Sequence, residues 1–479
     1  MNAKDIAQPD DDGEWHPHLR PDGRVEQRLR GAMGWLLAYP WFDRLSLWAL
    51  VHYFFPLSRM WAAAACSSGV PERFFEQLEI TPEGIDLDRL QAVLLQVESA
   101  RATTAAVDQR WEQAFFGPEP RTDQELVSIE TARLDQRHKL NSLRKEFRFM
   151  RRAPIAVQKA APPTVEEVEA AYGQYRDDRA PLFAAPDPMP EVDVSRRVPG
   201  NVGTDYWLRF RSPQPRLNDM VYARVHEPEG VENPPTLVFG HGICVDFDHW
   251  RGLIDEVDAL CRMGVRVIRH EAPFHGRRRP AGRYPGEAIV ATTPMGPLDS
   301  FSGSIREWSV LLDWARKTST GPIAVGGSSL GALTSLLCAD VARYWPKEIQ
   351  PQALLLITHS GHQRDALVNG ALAEVWKARD AMEKVGWSAE MAADYIRLLD
   401  PSWDDAPVVE SENIISILGS YDHVTPYKSG IELLNAWGVP VENRFLWKRG
   451  HFSVPMTMIR NDKPLKAFVD ILTRLQHSG

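Results

Sequence analysis

Three side chains far apart along the chain, Ser329, Asp422 and His451, have the types and surroundings needed to activate a hydroxyl for attack on a carbonyl. Ser329 is the middle of Gly327-Ser328-Ser329-Leu330-Gly331, directly after the apolar run Pro322–Gly326 and before a helix-length stretch. A sharp strand-to-helix turn forces such a residue into strained backbone, and small flanking residues relieve the crowding. The hydroxyl is thereby lifted above a sheet edge, beside a helix N-terminus that favours negative charge. Further on, Ile414–Gly419 runs into Ser420-Tyr421-Asp422-His423-Val424-Thr425-Pro426, and Glu442–Lys448 runs into Arg449-Gly450-His451-Phe452. His451 can take the serine proton, while the Asp422 carboxylate accepts its Nδ1–H, fixes the tautomer and stabilises the imidazolium. Asp365, Asp404 and Asp405 also lie between Ser329 and His451, but none directly follows a strong strand. His423 adjoins Asp422, and neighbours in a tight loop rarely aim at one hydroxyl.

A tetrahedral intermediate needs donors aimed at its oxyanion, each worth about 3 kcal/mol. The backbone N–H of Leu330 is one candidate. The other is Ile243, because the strand Thr236–Gly240 ends in His241-Gly242-Ile243. That position also makes His241 and Gly242 candidate substrate contacts. Cys244 reads as a small packed residue rather than a second nucleophile. After the next strand, His275-Gly276-Arg277-Arg278-Arg279 is expected at the same sheet edge. Arg278 and Arg279 could receive an anionic group, since guanidinium suits a carboxylate or phosphate. The competing reading is a solvated basic loop, or pairing with the protein's own carboxylates.

The elements that must position these residues follow a regular plan. From Thr204 onward, β-type runs alternate with amphipathic helix-length stretches, the pattern of a mostly parallel sheet flanked by helices. The expected strands are 206–212, 220–227, 236–240, 265–271, 322–328, 353–359, 414–420 and 442–448. The expected helices include Trp250–Met263, Ser304–Lys317, Leu330–Tyr344 and Leu465–Gln476. The middle strands are continuous apolar runs, as expected for strands covered on both faces. Two stretches interrupt the alternation. Gly361–Pro407, with helix-like Ala371–Val385 and Ala389–Asp400, is expected to roof the site as a cap. Gly276–Asp299 reads as a long loop that needs a packing partner or a function.

Residues 1–200 read as a mainly helical N-terminal region and 201–479 as the catalytic domain, with the Pro-rich stretch 180–194 joining them. Apolar positions Leu87, Leu90, Leu94 and Val97 keep helical spacing. Met33–Ala65 is the most apolar segment, but Pro40, Asp43, Arg44, His52, Pro56 and Arg59 interrupt it, so no run spans a bilayer. Packing on the protein itself is the expected fate of that segment. With the basic stretch Arg133–Arg152, expected as an exposed helix face, it leaves room for transient contact with an anionic membrane surface. Whether the N-terminal region gates the site or mediates homo-oligomers is open at this level.

With 479 residues, a net charge of -9, 44% hydrophobic and 25% charged residues, the chain has the composition of a globular protein and not of a nucleic-acid binder. Cys66, Cys244, Cys261 and Cys338 form no CxxC pair, which argues against a zinc cluster or a disulfide framework. The acidic start lacks an apolar core and so reads as no secretory signal, and a cytoplasmic setting is expected.

Through His241-Gly242-Ile243, the Gly327–Gly331 motif, Ser420–Pro426 and Arg449–Phe452, residues 204–479 resemble the α/β-hydrolase superfamily. The order Ser, Asp, His along the chain is the one associated with it. The resemblance implies a Ser-Asp-His hydrolase that needs no cofactor or metal and acts on a small-molecule ester or acyl substrate. A carboxylic ester is the expected substrate. The alternatives are a thioester, an amide or peptide, or a carbon–carbon bond, and, in another class, a ligand-binding receptor on a hydrolase scaffold.

Overall fold

The computed structural model describes residues 39–245 and 256–478. Its strands are β1 (Asp193–Val194), β2 (Val198–Gly200), β3 (Gly203–Arg211), β4 (Met220–Pro228), β5 (Thr236–Gly240), β6 (Arg266–His270), β7 (Ile323–Ser328), β8 (Ala353–Ile357), β9 (Ile414–Gly419) and β10 (Arg444–Trp447). They form one sheet in the order β1-β3-β4-β6-β5-β7-β8-β9-β10, with β2 beside β3. From β6 to β10 every neighbouring pair is parallel, whereas β4 meets β6, and β3 meets β4, antiparallel.

All eight strands read from the sequence are present. β1 and β2 were not anticipated, because two or three residues are too few to show a period of two; pairing with β3 defines them. Alternation along the central strands divides their side chains between two cores. Val238, Val325, Leu354, Leu356, Ile414 and Leu418 face the helices Met295–Thr318 and Leu330–Val341. Leu237, Phe239, Ala324, Leu355, Ile357, Ile415 and Ile417 face the helices Glu256–Arg262 and Lys463–Ser478. Both faces are buried, so the strands read as unbroken apolar runs. A mostly parallel sheet sandwiched by helices, with an antiparallel edge and this strand order, is the α/β-hydrolase fold.

Chain order reverses at β5, which has β6 on one side and β7 on the other. In open α/β sheets a crevice forms at such a point, outside the carboxyl ends of the strands. The loops after β5, β7, β9 and β10 all leave from that edge.

A third core joins distant parts of the chain. Phe55, Met60 and Trp61 of the helix Phe55–Ser67 and Phe74, Leu90, Leu94, Val97 and Phe147 pack with Tyr284, Val290, Leu372, Trp376 and Val424. Arg59, buried in that helix, donates to the carbonyls of Gly282 and Gln77 and faces Glu287 at 3.7 Å. The later half of Met33–Ala65 is therefore interior. Trp41, Leu45 and Trp48, on the helix Pro40–Ala49, are each more than 40% exposed. Residues 33–38 lie outside the described residues, as does the start of the expected helix Trp250–Met263. Among the described residues no helix is long and apolar enough to cross a membrane.

Several local expectations change. Gly276–Asp299 is not one loop: Glu287–Ala291 is helical, and the following helix begins at Met295, nine residues before Ser304. Gly296, Pro297, Ser300, Ser302 and Gly303 are weak helix formers in isolation. All five are buried, and Ser302 Oγ bonds back to the Leu298 carbonyl at 2.6 Å, so packing overrides propensity. Ala371–Val385 breaks at Lys377, which has φ 51° between the helices Ala371–Trp376 and Ala378–Glu383. Arg133–Arg152 is not uniformly exposed. Arg133 is paired with buried Glu130 beneath Trp111, and Arg144 lies over Trp61. The stretch 180–194 includes Leu182 and Phe183, both buried in the main core.

Candidate active site

Ser329 ends the turn from β7 into the helix Leu330–Val341 with φ 55° and ψ −116°, a region a non-glycine residue enters at a cost. The surrounding glycines explain how the turn is tolerated. A Cβ at Gly331 would lie 2.0 Å from the Gly240 carbonyl oxygen, and one at Gly327 would lie 2.5 Å from the Gly331 carbonyl carbon. The end of β5 and the first turn of the helix thus touch backbone to backbone. The Ser329 N–H donates to the Ile357 carbonyl at 2.9 Å, tying the turn to β8.

His451 follows β10, and its Nε2 stands 3.0 Å from Ser329 Oγ. Its Nδ1 stands 2.8 Å from Asp422 Oδ2, in the loop after β9. Asp422 is buried and well supplied with donors. Oδ1 accepts from the Val424 and Thr425 amides at 2.8 and 2.9 Å, and Oδ2 accepts from Thr425 Oγ1 at 2.9 Å. With donors arranged around both of its oxygens, the carboxylate presents Oδ2 as the acceptor for His451 Nδ1–H. Nε2 is then left to accept from the serine hydroxyl. Thr425 was missed in the sequence; its only signal was a hydroxyl residue three places after the acid, in a turn.

The Leu330 amide opens a helix, and the first N–H groups of a helix have no intrahelical partner. The turn after β5 lies against the serine: a Cβ on Gly242 would be 3.6 Å from Ser329 Cβ. Ile243 and Cys244 follow, with Cys244 at φ 62°. The Cys244 amide donates to His275 Nε2 at 3.2 Å, and His275 Nδ1 donates to the Pro273 carbonyl at 3.0 Å. Burial, reinforced by neighbouring His241, pushes the His275 pKa well below the ordinary histidine value. It stays neutral and braces the loop that carries Ile243. Burial likewise drives the Cys244 thiol far above its ordinary pKa, so it is not a thiolate nucleophile.

The remaining candidates lie elsewhere. His241 Nδ1 bonds the Gly242 carbonyl at 2.8 Å, and its Nε2 accepts the Ala272 amide at 3.3 Å, linking the loops after β5 and β6. The expectation that Arg278 receives an anionic substrate is corrected. Its guanidinium donates to both oxygens of Glu307, to both of Asp219 and to the Glu271 carbonyl. With no exposed donor, it completes an internal ion cluster. Arg279 lies over the Trp61 ring at 4.4 Å and lines a cavity of about 730 Å³ with Asp108, Glu112, Arg137 and Arg277. Ser329, Asp422 and His451 do not line that cavity. Asp365 accepts from Ser429 and Asp405 from Ser402, and the His423 side chain is exposed. Among the described residues no group of His, Cys, Asp and Glu is placed to hold a metal ion, and the four cysteines are free.

No protein-family model matches the chain, and no curated protein matches it. Solved structures do. Acetyl xylan esterase 1 from Thermoanaerobacterium sp. JW/SL YS485 is similar at 15% identity and a TM-score of 0.44, covering 67% of this chain and 96% of its own. An S-formylglutathione hydrolase from Agrobacterium tumefaciens is similar at 13% identity and 0.38, covering 58% and 99%. A hyperthermophilic esterase from Pyrobaculum calidifontis is similar at 16% identity and 0.33, covering 66% and 92%.

Proposed function

We propose that the protein is a serine hydrolase that cleaves a carboxylic ester through an acyl-enzyme intermediate. The observation that carries this reading is the continuous line Asp422–His451–Ser329, with links of 2.8 and 3.0 Å, ending on a hydroxyl at a strained strand-to-helix turn. Ser329 Oγ attacks the acyl carbonyl carbon while His451 Nε2 takes its proton. The oxyanion that forms faces the amides of Leu330 and Ile243. His451 then returns the proton to the departing alkoxide, and a water molecule activated by the same imidazole releases the acid.

The loops that carry the triad are tied into an apolar cluster. Ile243, Val424 and Phe452 come from the loops that carry the site, and they pack with Phe55, Leu372 and Trp376 from the N-terminal helices and from the Gly361–Pro407 insertion. Gly370 joins that insertion to the loop of the acid, since a Cβ there would be 2.4 Å from the Val424 carbonyl oxygen.

Fluorophosphonate labelling of wild type and Ser329→Ala, with the modified peptide mapped by mass spectrometry, tests the proposal. Labelling at Ser329, and turnover of p-nitrophenyl esters lost in the variant, is the expected result. A folded wild-type protein that neither labels nor turns over esters would overturn it.

A further inference from the structure

The loop that carries His451 has little structure of its own. β10, which precedes it, is an edge strand of four residues, and the helix that follows, Ser453–Met458, has six. The Ser420 and Tyr421 amides bond the Trp447 and Arg449 carbonyls at its start, and a second hold comes from the far end of the chain. Asp43, in the first turn of the helix Pro40–Ala49, is where an acidic residue usually serves the start of its own helix. Here the carboxylate reaches across instead. Oδ1 accepts the amides of Phe452 at 2.6 Å and Ser453 at 3.2 Å, and Oδ2 accepts the Ser453 hydroxyl at 2.5 Å. The Ser453 hydroxyl in turn accepts the Gly450 amide at 2.9 Å. The two residues flanking His451 are thus held by one carboxylate, Phe452 directly and Gly450 through the serine. The fit is close: a Cβ on Gly450 would lie 2.4 Å from Asp43 Cγ.

We propose that Asp43 is a positioning residue that holds His451 in register with Ser329 and Asp422, which makes the N-terminal helical region a working part of the active site. The proposal rests on the hydrolase reading above. Charge-assisted hydrogen bonds to a carboxylate are about twice as strong as neutral ones, and three of them converge on this short segment. Loss of this hold lets the imidazole drift, and a misplacement of about 1 Å costs on the order of 100-fold in rate.

The test compares wild type, Asp43→Ala and Asp43→Asn by three readouts. Hydrogen exchange of the 450–458 peptide reads the hold itself. The downfield Nδ1–H resonance of His451, in protein labelled with nitrogen-15 histidine, reads the imidazole. The rate of fluorophosphonate labelling and the separate kcat and KM for an ester read the chemistry. Asp43→Ala is expected to speed exchange, to broaden or abolish the His451 resonance, and to lower labelling and kcat about 10- to 100-fold with KM unchanged. Asp43→Asn, which keeps an acceptor oxygen, is expected to recover most of all three. If Asp43→Ala keeps the wild-type resonance and labelling rate, the proposal is wrong, whatever the exchange does. It is equally wrong if Asp43→Asn is as impaired as Asp43→Ala at an equal melting temperature. Should Asp43→Ala not fold, Ser453→Ala, which removes one of the three bonds and the link to Gly450, is judged by the same readouts. Wild-type protein that fails to label at Ser329 sinks the hydrolase reading alone, because exchange and the His451 resonance still decide whether Asp43 holds the loop.

Discussion

His451 Nδ1 lies 2.8 Å from Asp422 Oδ2, and His270 Nε2 lies 2.6 Å from Glu307 Oε2, so the same kind of pair occurs in two very different parts of the fold. The surroundings separate them. Glu307 is fully buried in mid-helix and also takes two bonds from Arg278 and one from Ser212 at 2.5 Å. Burial alone would raise its carboxyl, but the Arg278 charge and His270 outweigh it and bring the pKa down to about 2. Burial in turn lowers the pKa of His270 despite Glu307 beside it. Asp422, by contrast, sits in a loop at the sheet edge, and the imidazole it orients turns its second nitrogen to a hydroxyl on strained backbone. Side-chain type does not assign the role. A pair answered on all sides stabilises the fold, whereas a pair whose second nitrogen meets a hydroxyl on strained backbone has the geometry that the proposed reaction needs.

The contrast can be broken most severely at its reactive end. Ser329→Ala is expected to lower kcat by about 10⁶-fold while leaving the melting temperature close to wild type, since the residues of such a relay act as a unit. Asp422→Asn should keep the geometry but disturb the tautomer of His451, for a loss of about 10⁴-fold in kcat. A loss of stability in place of rate in either variant would mean that this pair is structural too. At the other pair the expectation inverts. Arg278→Ala leaves Glu307 and Asp219 without their cation and should cost about 3–5 kcal/mol of stability by denaturant titration. The folded fraction should still label at Ser329 at the wild-type rate.

The smallest effect is in the pH dependence of stability. His359, buried after β8 and bonded to Ser416 Oγ at 2.8 Å, has its pKa lowered by burial to about 4. Below the ordinary histidine value the unfolded chain takes up a proton that the folded protein refuses. Stability therefore falls as pH drops from about 6.5 to about 4, by about 3 kcal/mol in total. Glu307 acts in the same direction at lower pH: its stabilisation is complete above the ordinary carboxylate range and is lost as pH falls through about 2. Denaturant midpoints of wild type and His359→Gln between pH 4 and 7 check the first window; the variant should show a flatter curve.

Much of the fold was legible because buried parallel strands advertise themselves as largely apolar runs, and β5, β7, β8 and β9 are such runs. The residues that meet in the candidate site could be picked out because each lies within four residues of a strand's end, so the type of residue and its place in the pattern agreed. Legibility failed where burial comes from another part of the chain. The serine- and glycine-rich start of the helix Met295–Thr318 gives no helical signal by itself, and Arg133, Arg144 and Arg278 look like surface charge until their partners are seen.

The amino-acid sequence by itself determined the alternation of strands and helices, and with it the placing of Ser329, Asp422 and His451 at strand ends. Those properties depend on neighbours in the chain: periodicity, turn residues, and glycines where backbones must touch. Tertiary structure alone decided which charges are answered internally, that His275 braces the turn after β5, and that Asp43 grips the segment next to His451. Such pairings join residues up to 410 positions apart. No local pattern encodes them, because each exists only once the sheet has brought its loop ends to one edge.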